Sequence, residues 1–158
     1  MNKYTSKRQF RLENEIATGL LASQIAELAR PNDIITLAGD LGVGKTAFAK
    51  GFIRAMGGEY EVLSPTFTLV QLYDVPNYSI YHFDFYRVED PEEILELGIE
   101  DAFSEGISLI EWPDRMDNYI PAVRLDIILS NCLNENSREV SLVAFGDSWV
   151  NRLAKVNI

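Results

Sequence analysis

The run Gly39-Asp40-Leu41-Gly42-Val43-Gly44-Lys45-Thr46 holds residue types that together can grip a polyphosphate. Glycines at 39, 42 and 44 let the backbone turn tightly and aim several N–H groups inward. A helix that follows adds the partial positive charge of its N-terminus at the same place. Leu41, Gly42, Val43 and Gly44 would line the phosphates, and Lys45 would reach the outer two. The Thr46 hydroxyl would be a ligand to Mg2+. The spacing G-x-x-x-x-G-K-T is the complete P-loop pattern. The pattern alone does not choose between ATP and GTP. The chain has no Asn-Lys-x-Asp guanine-reading motif, which favours ATP.

A P-loop site also needs a carboxylate at a strand end to complete the magnesium shell. Two acids are placed for it. Asp84 ends the run Ser79-Ile80-Tyr81-His82-Phe83-Asp84, and Glu111 ends Ile107-Ser108-Leu109-Ile110-Glu111. An acid at the end of a buried strand is costly unless a metal or a lysine pairs it. Asp40, inside the loop, is a weaker candidate that also suits a plain turn former. Ser64-Pro65-Thr66-Phe67-Thr68 carries hydroxyls that could meet a γ-phosphate, but read on its own it is a turn before a strand. His82, the single histidine, lacks the company a metal site requires and reads as packed or hydrogen-bonded. Cys132 has no cysteine partner and reads as a small buried residue. Trp112, just before Pro113, suits a loop, either in the core or as an exposed contact. The acidic run Glu89 to Glu96 reads as a solvated helix face.

These groups need elements to hold them. Ile34 to Ala38 is a short apolar run before a glycine, which predicts a buried strand. Thr46 to Met56 predicts a helix stopped by Gly57-Gly58. The glycine loop therefore lies between a strand and a helix, as its chemistry requires. Upstream, apolar residues at Ile16, Leu20, Leu21, Ile25 and Leu28 predict an amphipathic helix over Glu15 to Ala29, ended by Pro31-Asn32. Thr68 to Tyr73, Ser79 to Phe85 and Ile107 to Glu111 predict strands. Asp90-Pro91-Glu92-Glu93 predicts a capped helix start. Leu125 to Ser130 and Glu139 to Phe145 predict two strands joined at Asn134-Glu135-Asn136, and Asp147 to Val156 a closing helix. The longest expected loops are Gly57 to Pro65 and Asp74 to Asn77, too short for linkers between domains. The class is α/β with a mixed sheet, and residues 1–158 read as one domain.

The chain has 158 residues, 47% hydrophobic and 24% charged, with one cysteine and a net charge of −10. That length buries a core without metals or disulfides. The acidic balance argues against direct binding to DNA or bare RNA, which needs cationic surface. Met1 to Gln9 carries Lys3, Lys7 and Arg8 with no apolar run after them. Neither a signal peptide nor a spanning helix is expected, so the expected setting is the cytoplasm, without membrane contact.

Five motifs in order resemble the TsaE (YjeE) family of small bacterial P-loop ATPases, needed to make threonylcarbamoyladenosine at position 37 of tRNA. They are Gly39 to Thr46, Ser64-Pro65-Thr66-Phe67-Thr68-Leu69-Val70, Tyr81-His82-Phe83-Asp84-Phe85-Tyr86-Arg87, Asp90-Pro91-Glu92-Glu93 and Leu109-Ile110-Glu111-Trp112. They span about residues 12 to 145. The resemblance implies a single P-loop NTPase domain with a mixed, mostly parallel central sheet flanked by helices. It implies Thr46 and Glu111 as magnesium ligands and Asp84 in a Walker B-like place, required for hydrolysis. It makes Ser64, Pro65 and Thr66 a switch-like loop, which reverses the reading of those residues taken alone. It puts adenine between the chain near Glu13 and Glu15 and Arg138, and Trp112 on a surface tied to activity or partner contact. It further implies weak ATPase activity alone and work with the TsaD and TsaB proteins, ATP turnover resetting that complex while TsaD carries the transfer to tRNA. Leu63 and Ala47 depart from the family's common form, where a lysine and a second threonine are frequent.

Two other functions fit the same loop. A small-molecule kinase would need an arginine-rich lid, and the chain has only 14 lysines and arginines with no such cluster. A nucleotide-dependent switch would bind without meaningful catalysis.

Overall fold

A computed structural model of the chain describes residues 5–58 and 61–158. Lys3, and two residues of the loop expected over Gly57 to Pro65, lie outside the described residues. The strands are β1 (Thr5–Leu12), β2 (Ile34–Ala38), β3 (Val70–Val75), β4 (Tyr78–Asp84), β5 (Ile107–Glu111), β6 (Arg124–Asn131) and β7 (Arg138–Phe145). The helices are α1 (Glu15–Leu28), α2 (Lys45–Ala55), α3 (Ile99–Glu105) and α4 (Asp147–Leu153). The seven strands form one sheet in the order β1-β7-β6-β2-β5-β4-β3. Its middle is parallel: β6, β2, β5 and β4 run the same way. Antiparallel strands close both sides, β7 and β1 beyond β6 and β3 beyond β4. Parallel strands buried on both faces read as continuous apolar runs, which is why β2 and β5 stand out in the sequence.

Register decides where the acids fall. Asp84 on β4 lies beside Glu111 on β5, and Glu111 beside Leu37 on β2. Both carboxylates thus sit at the carboxyl ends of neighbouring parallel strands, two residues from the start of the glycine loop. In open α/β sheets that edge is where ligands bind.

One face of the sheet packs against α1, α2 and α4 through Leu21, Ile25, Phe48, Phe52 and Trp149. The other packs Phe83, Phe85 and Ile110 against Ile94, Ile99 and Met116. The buried stripe of α1 is Thr18, Leu21, Ala22, Ile25 and Ala26, while Ile16 and Leu20 are exposed. The expected stripe was therefore rotated by about one residue. The reason is close packing on α2. A Cβ on Gly51 would meet Ala22 Cβ and Gly19 Cα, each at 3.2 Å. Small residues let these two helices approach, so threonine and alanine take the inner face.

Other differences are local. The strand expected from Thr68 starts at Val70, because the Leu69 N–H bonds the Pro65 carbonyl at 2.7 Å and Leu69 takes φ 68°. The start at Asp90 caps a 3-10 segment, Pro91–Leu97, with the Asp90 carboxylate accepting from Glu92 N–H at 3.0 Å. Glu93 accepts from Glu89 N–H, one residue earlier than a capping box places it. Cys132 is half-buried, not enclosed.

The closing helix is tied down by charge. Arg152 Nη1 and Nη2 donate to Asp33 Oδ2 and Oδ1 at 2.6 and 2.9 Å, both side chains being buried. Arg152 also reaches the Leu28 carbonyl at 2.8 Å. Removing one partner strands the other charge, typically at about 3 kcal/mol or more. Asp33→Ala is therefore expected to lower the melting temperature by roughly 6–12 °C, at about 2–4 °C per kcal/mol for a chain of this size. A calorimetric scan that leaves it unmoved would show the pair to be dispensable.

Candidate nucleotide site

The loop between β2 and α2 is a strand-turn-helix connection. Gly39, Gly42 and Gly44 take φ of 140°, 76° and 115°, in the region that favours glycine. At Gly39 there is also no room. A Cβ there would lie 2.4 Å from the Leu129 carbonyl oxygen on β6 and 2.8 Å from Val43 Cγ1. The Asp40 carbonyl accepts from Val43 N–H at 3.2 Å, so Asp40 shapes the turn while its side chain is exposed.

Lys45 opens α2 and is 5% exposed. Its ammonium donates to the carbonyls of Gly39 and, at 3.0 Å, Asp40. It also lies over the Trp112 ring, 4.1 Å from the centroid. Burial lowers the Lys45 pKa, and Glu111, Asp84, Asp40 and Asp114 oppose that shift as negative charges. Trp112 follows β5 in a left-handed conformation, with its N–H on the Leu37 carbonyl at 3.3 Å. Its half-buried ring leans against Tyr86, centroids 4.9 Å apart. It is thus neither a core residue nor a free surface one.

Both acids are buried, Glu111 2% and Asp84 3% exposed. Thr46 Oγ1 lies 3.5 Å from each Glu111 oxygen, too far for a strong O–H···O bond. His82 Nε2 is 2.7 Å from Glu111 Oε2. Asp84 Oδ2 accepts from Thr66 at 2.9 Å and Ser64 at 3.2 Å, and Oδ1 from the Tyr86 N–H at 2.9 Å. The loop carrying Ser64, Pro65 and Thr66 is therefore tied to the acid at the end of β4. Read without the family resemblance, that segment is only a turn before a strand.

Two clefts meet at the glycine loop. One, of about 220 Å³, is lined by Leu41, Gly42, Lys45, Thr46, Ser64, Thr66, Asp84, Tyr86, Glu111 and Trp112 among others. The second, of about 710 Å³, is lined by Glu13, Asn14, Glu15, Val43, the 134–136 turn and Arg138. Gly42, Gly44 and Ala47 line both. Arg138 Nε donates to the Val43 carbonyl at 3.0 Å, joining the β6–β7 hairpin to the loop. Ser137 Oγ reaches the Glu13 carbonyl at 3.4 Å. Asn14 caps α1 through Ala17 N–H at 2.9 Å, which sets the path of the chain past the second cleft.

The family model described as Threonylcarbamoyl adenosine biosynthesis protein TsaE matches residues 12–140. The chain belongs to the TsaE family. It is 42% identical over 133 residues to the tRNA threonylcarbamoyladenosine biosynthesis protein TsaE of Rickettsia felis, covering 84% of this chain and 77% of that one. It is 37% identical over 142 residues to the protein of that name from Bacillus subtilis, covering 89% and 88%. The crystal structure of Bacillus subtilis YdiB superposes with a TM-score of 0.83 at 29% identity, over 98% of this chain and 96% of that one. The TsaE fold of this chain is thus α/β, with a sheet parallel in its middle and a P-loop leading from β2 into α2.

Every site residue named from the sequence of this TsaE member lies along the two joined clefts or on the loop bound to Asp84. Of the departures noted, Ala47 lines both clefts and Leu63 is exposed. Two contributors were not foreseen as parts of the site. Tyr86 offers its backbone N–H to Asp84, which no side-chain pattern reveals. His82 reads from the sequence as packed or hydrogen-bonded, with no partner named; its partner is Glu111. The signal was available: on a strand, residues 82 and 84 face the same side.

The donor set suits a hard cation. A hydroxyl and a carboxylate converge without closing a tight bond, and both offer oxygen. Among the described residues no three His, Cys, Asp or Glu side chains group to hold a metal. Mg2+ is commonly held by one or two protein oxygens together with phosphates and water.

Proposed function

We propose that this chain is the P-loop ATPase subunit for threonylcarbamoyladenosine formation on tRNA, binding Mg-ATP and hydrolysing it slowly. The observation that carries this is the convergence of Asp84 and Glu111 on Lys45 and Thr46 at one end of the sheet. A structural turn has no need of two buried carboxylates facing a buried ammonium. The backbone of Leu41 to Gly44 would bind the phosphates, and Lys45 would leave its carbonyl partners for them. Thr46 and Glu111 would hold Mg2+, which supplies charge neutralisation on the phosphate oxygens. Asp84 would orient the attacking water, with Ser64, Pro65 and Thr66 as the segment that senses the outer phosphate. Trp112, between Lys45 and Tyr86, would report to a partner surface. Adenine would occupy the larger cleft between Glu13, Glu15 and Arg138; its volume lies in the range of small-molecule sites.

In this reading residues 1–158 act as one domain in the cytoplasm. Among the described residues no helix is long and apolar enough to cross a membrane. The chain would dock on TsaD and TsaB, and ATP turnover would reset that complex while tRNA is met only through it. One alternative has a specific observation behind it. Asp84 is held by two hydroxyls and a backbone N–H, an arrangement that also suits a binding switch.

The test is tRNA modification with purified proteins, with and without this chain, together with ATP hydrolysis measured with and without TsaB and TsaD. Modification should depend on the chain, and the partners should raise its hydrolysis. Modification that proceeds equally well without it would remove the proposal.

A further inference from the structure

We propose that His82 is a positioning residue for Glu111, holding Oε2 so that Oε1 is left to the divalent cation beside Thr46. This rests on the metal reading given above. His82 and Asp84 lie on the face of β4 that Glu111 shares on β5, since His82 pairs with Leu109 and Asp84 with Glu111. The imidazole is fully buried and stands on the sheet face of Ile80, Ile107 and Leu109. In that apolar setting a leucine or phenylalanine would fill the same space. Nε2 contacts Glu111 Oε2 at 2.7 Å, while Nδ1 makes no hydrogen bond among the described residues. The contact requires Nε2 to donate, because a carboxylate oxygen accepts. In the neutral ring Nδ1 is then the acceptor nitrogen. Among the described residues the one polar partner of this buried ring is therefore Glu111.

The consequence is geometric. Thr46 Oγ1 stands equally far, 3.5 Å, from both carboxylate oxygens. With Oε2 held by His82, Oε1 has no nearer hydrogen-bond partner among the described residues and is placed for a cation. Without His82 the carboxylate can rotate, and Lys45 stands close enough to feel its charge. Hydrogen bonds that fix a ligating carboxylate commonly govern metal affinity by about 10–100-fold.

The experiment loads the protein with ADP and follows Mn2+ binding by electron paramagnetic resonance. In His82→Leu the Mn2+ affinity should fall by about 10–100-fold, with ADP affinity in EDTA unchanged. In His82→Gln, whose amide nitrogen ends where Nε2 does, Mn2+ affinity should return close to that of the parent. An unchanged affinity in the leucine variant would overturn the proposal, as would a glutamine variant no better than the leucine one. Thr46→Ala separates the two levels. If the parent binds Mn2+, Thr46→Ala does not and His82→Leu does, only the role of His82 falls. If the parent and Thr46→Ala are alike in lacking Mn2+ binding, the metal site itself falls and this inference with it. Should His82→Leu fail to fold, the parent still decides. It has a single histidine, so one imidazole is seen by nitrogen-15 resonance. An Nε2–H tautomer whose signal moves when Mg2+ joins the ADP-loaded protein is expected; a silent ring overturns the proposal.

Discussion

Lys45→Ala is expected to abolish ATP-dependent function while leaving the folded chain at least as stable as the parent. The stability half follows from where the ammonium sits. It is 5% exposed, with burial pushing its pKa down against the pull of four acids. A lysine whose folded pKa lies below its ordinary value carries a cost to folding in its charged form. That cost is absent well above the ordinary value, sets in as pH falls through it and is complete below the lowered one; neutral pH lies well below the ordinary value, so it operates there. Alanine removes it, together with two carbonyl contacts and the contact with Trp112. The functional half follows from the charge that polyphosphate brings. Loss of one preorganised donor at developing charge reduces turnover by about 10²–10³-fold. Thermal unfolding of the variant should stay at or above the parent, with the upward shift on adding Mg-ATP largely gone. Hydrolysis and tRNA modification should both be lost. A variant that modifies tRNA at the parent rate would mean that Lys45 does not serve the phosphates.

How much of this could be read beforehand depended on the range of the interactions. The glycine loop, β2, β5 and the β6–β7 pair are local patterns, and their residues announced them. The charged edge strand β1 did not. Thr5–Leu12 has only Phe10 and Leu12 as apolar residues and pairs along its whole length with β7, more than a hundred residues away. One of its two arginines, Arg8, bonds the carbonyls of Leu153 and Val156, another contact between the chain's two ends. The short helix α3 follows Gly98 in a left-handed conformation, with no side-chain cap to mark its start. At the site, Asp84 and Glu111 were legible one at a time as acids ending strands. Their adjacency was not, because it is set by parallel register between strands far apart in sequence. The tie between Ser64, Thr66 and Asp84 was hidden for the same reason: it spans about twenty residues and a reversal at β3.

Asp84→Asn should separate hydrolysis from binding. The side chain accepts three hydrogen bonds, two from rotatable hydroxyls and one from the fixed Tyr86 N–H. An asparagine oxygen can keep the backbone bond. Its NH2 then faces Ser64 and Thr66, whose hydroxyls can turn and accept instead. Packing and the loop position are thereby preserved, and what disappears is one buried negative charge. If that charge orients or deprotonates the attacking water, hydrolysis falls by about 10²-fold or more. The phosphate-binding backbone, Lys45 and the adenine cleft are untouched, so ATP affinity should remain near the parent or rise as repulsion of the phosphates drops. Direct ATP binding measured by calorimetry, single-turnover hydrolysis and modification of tRNA in the purified system give three separate readings. The proposal of a resetting ATPase requires the second and third to fall together while the first holds. If hydrolysis is lost and modification persists over many rounds, ATP binding alone moves the complex and the chain is a switch. If hydrolysis is undiminished, the acid at the end of β4 is a structural clasp for the Ser64–Thr66 loop, and the catalytic carboxylate must be sought at Glu111.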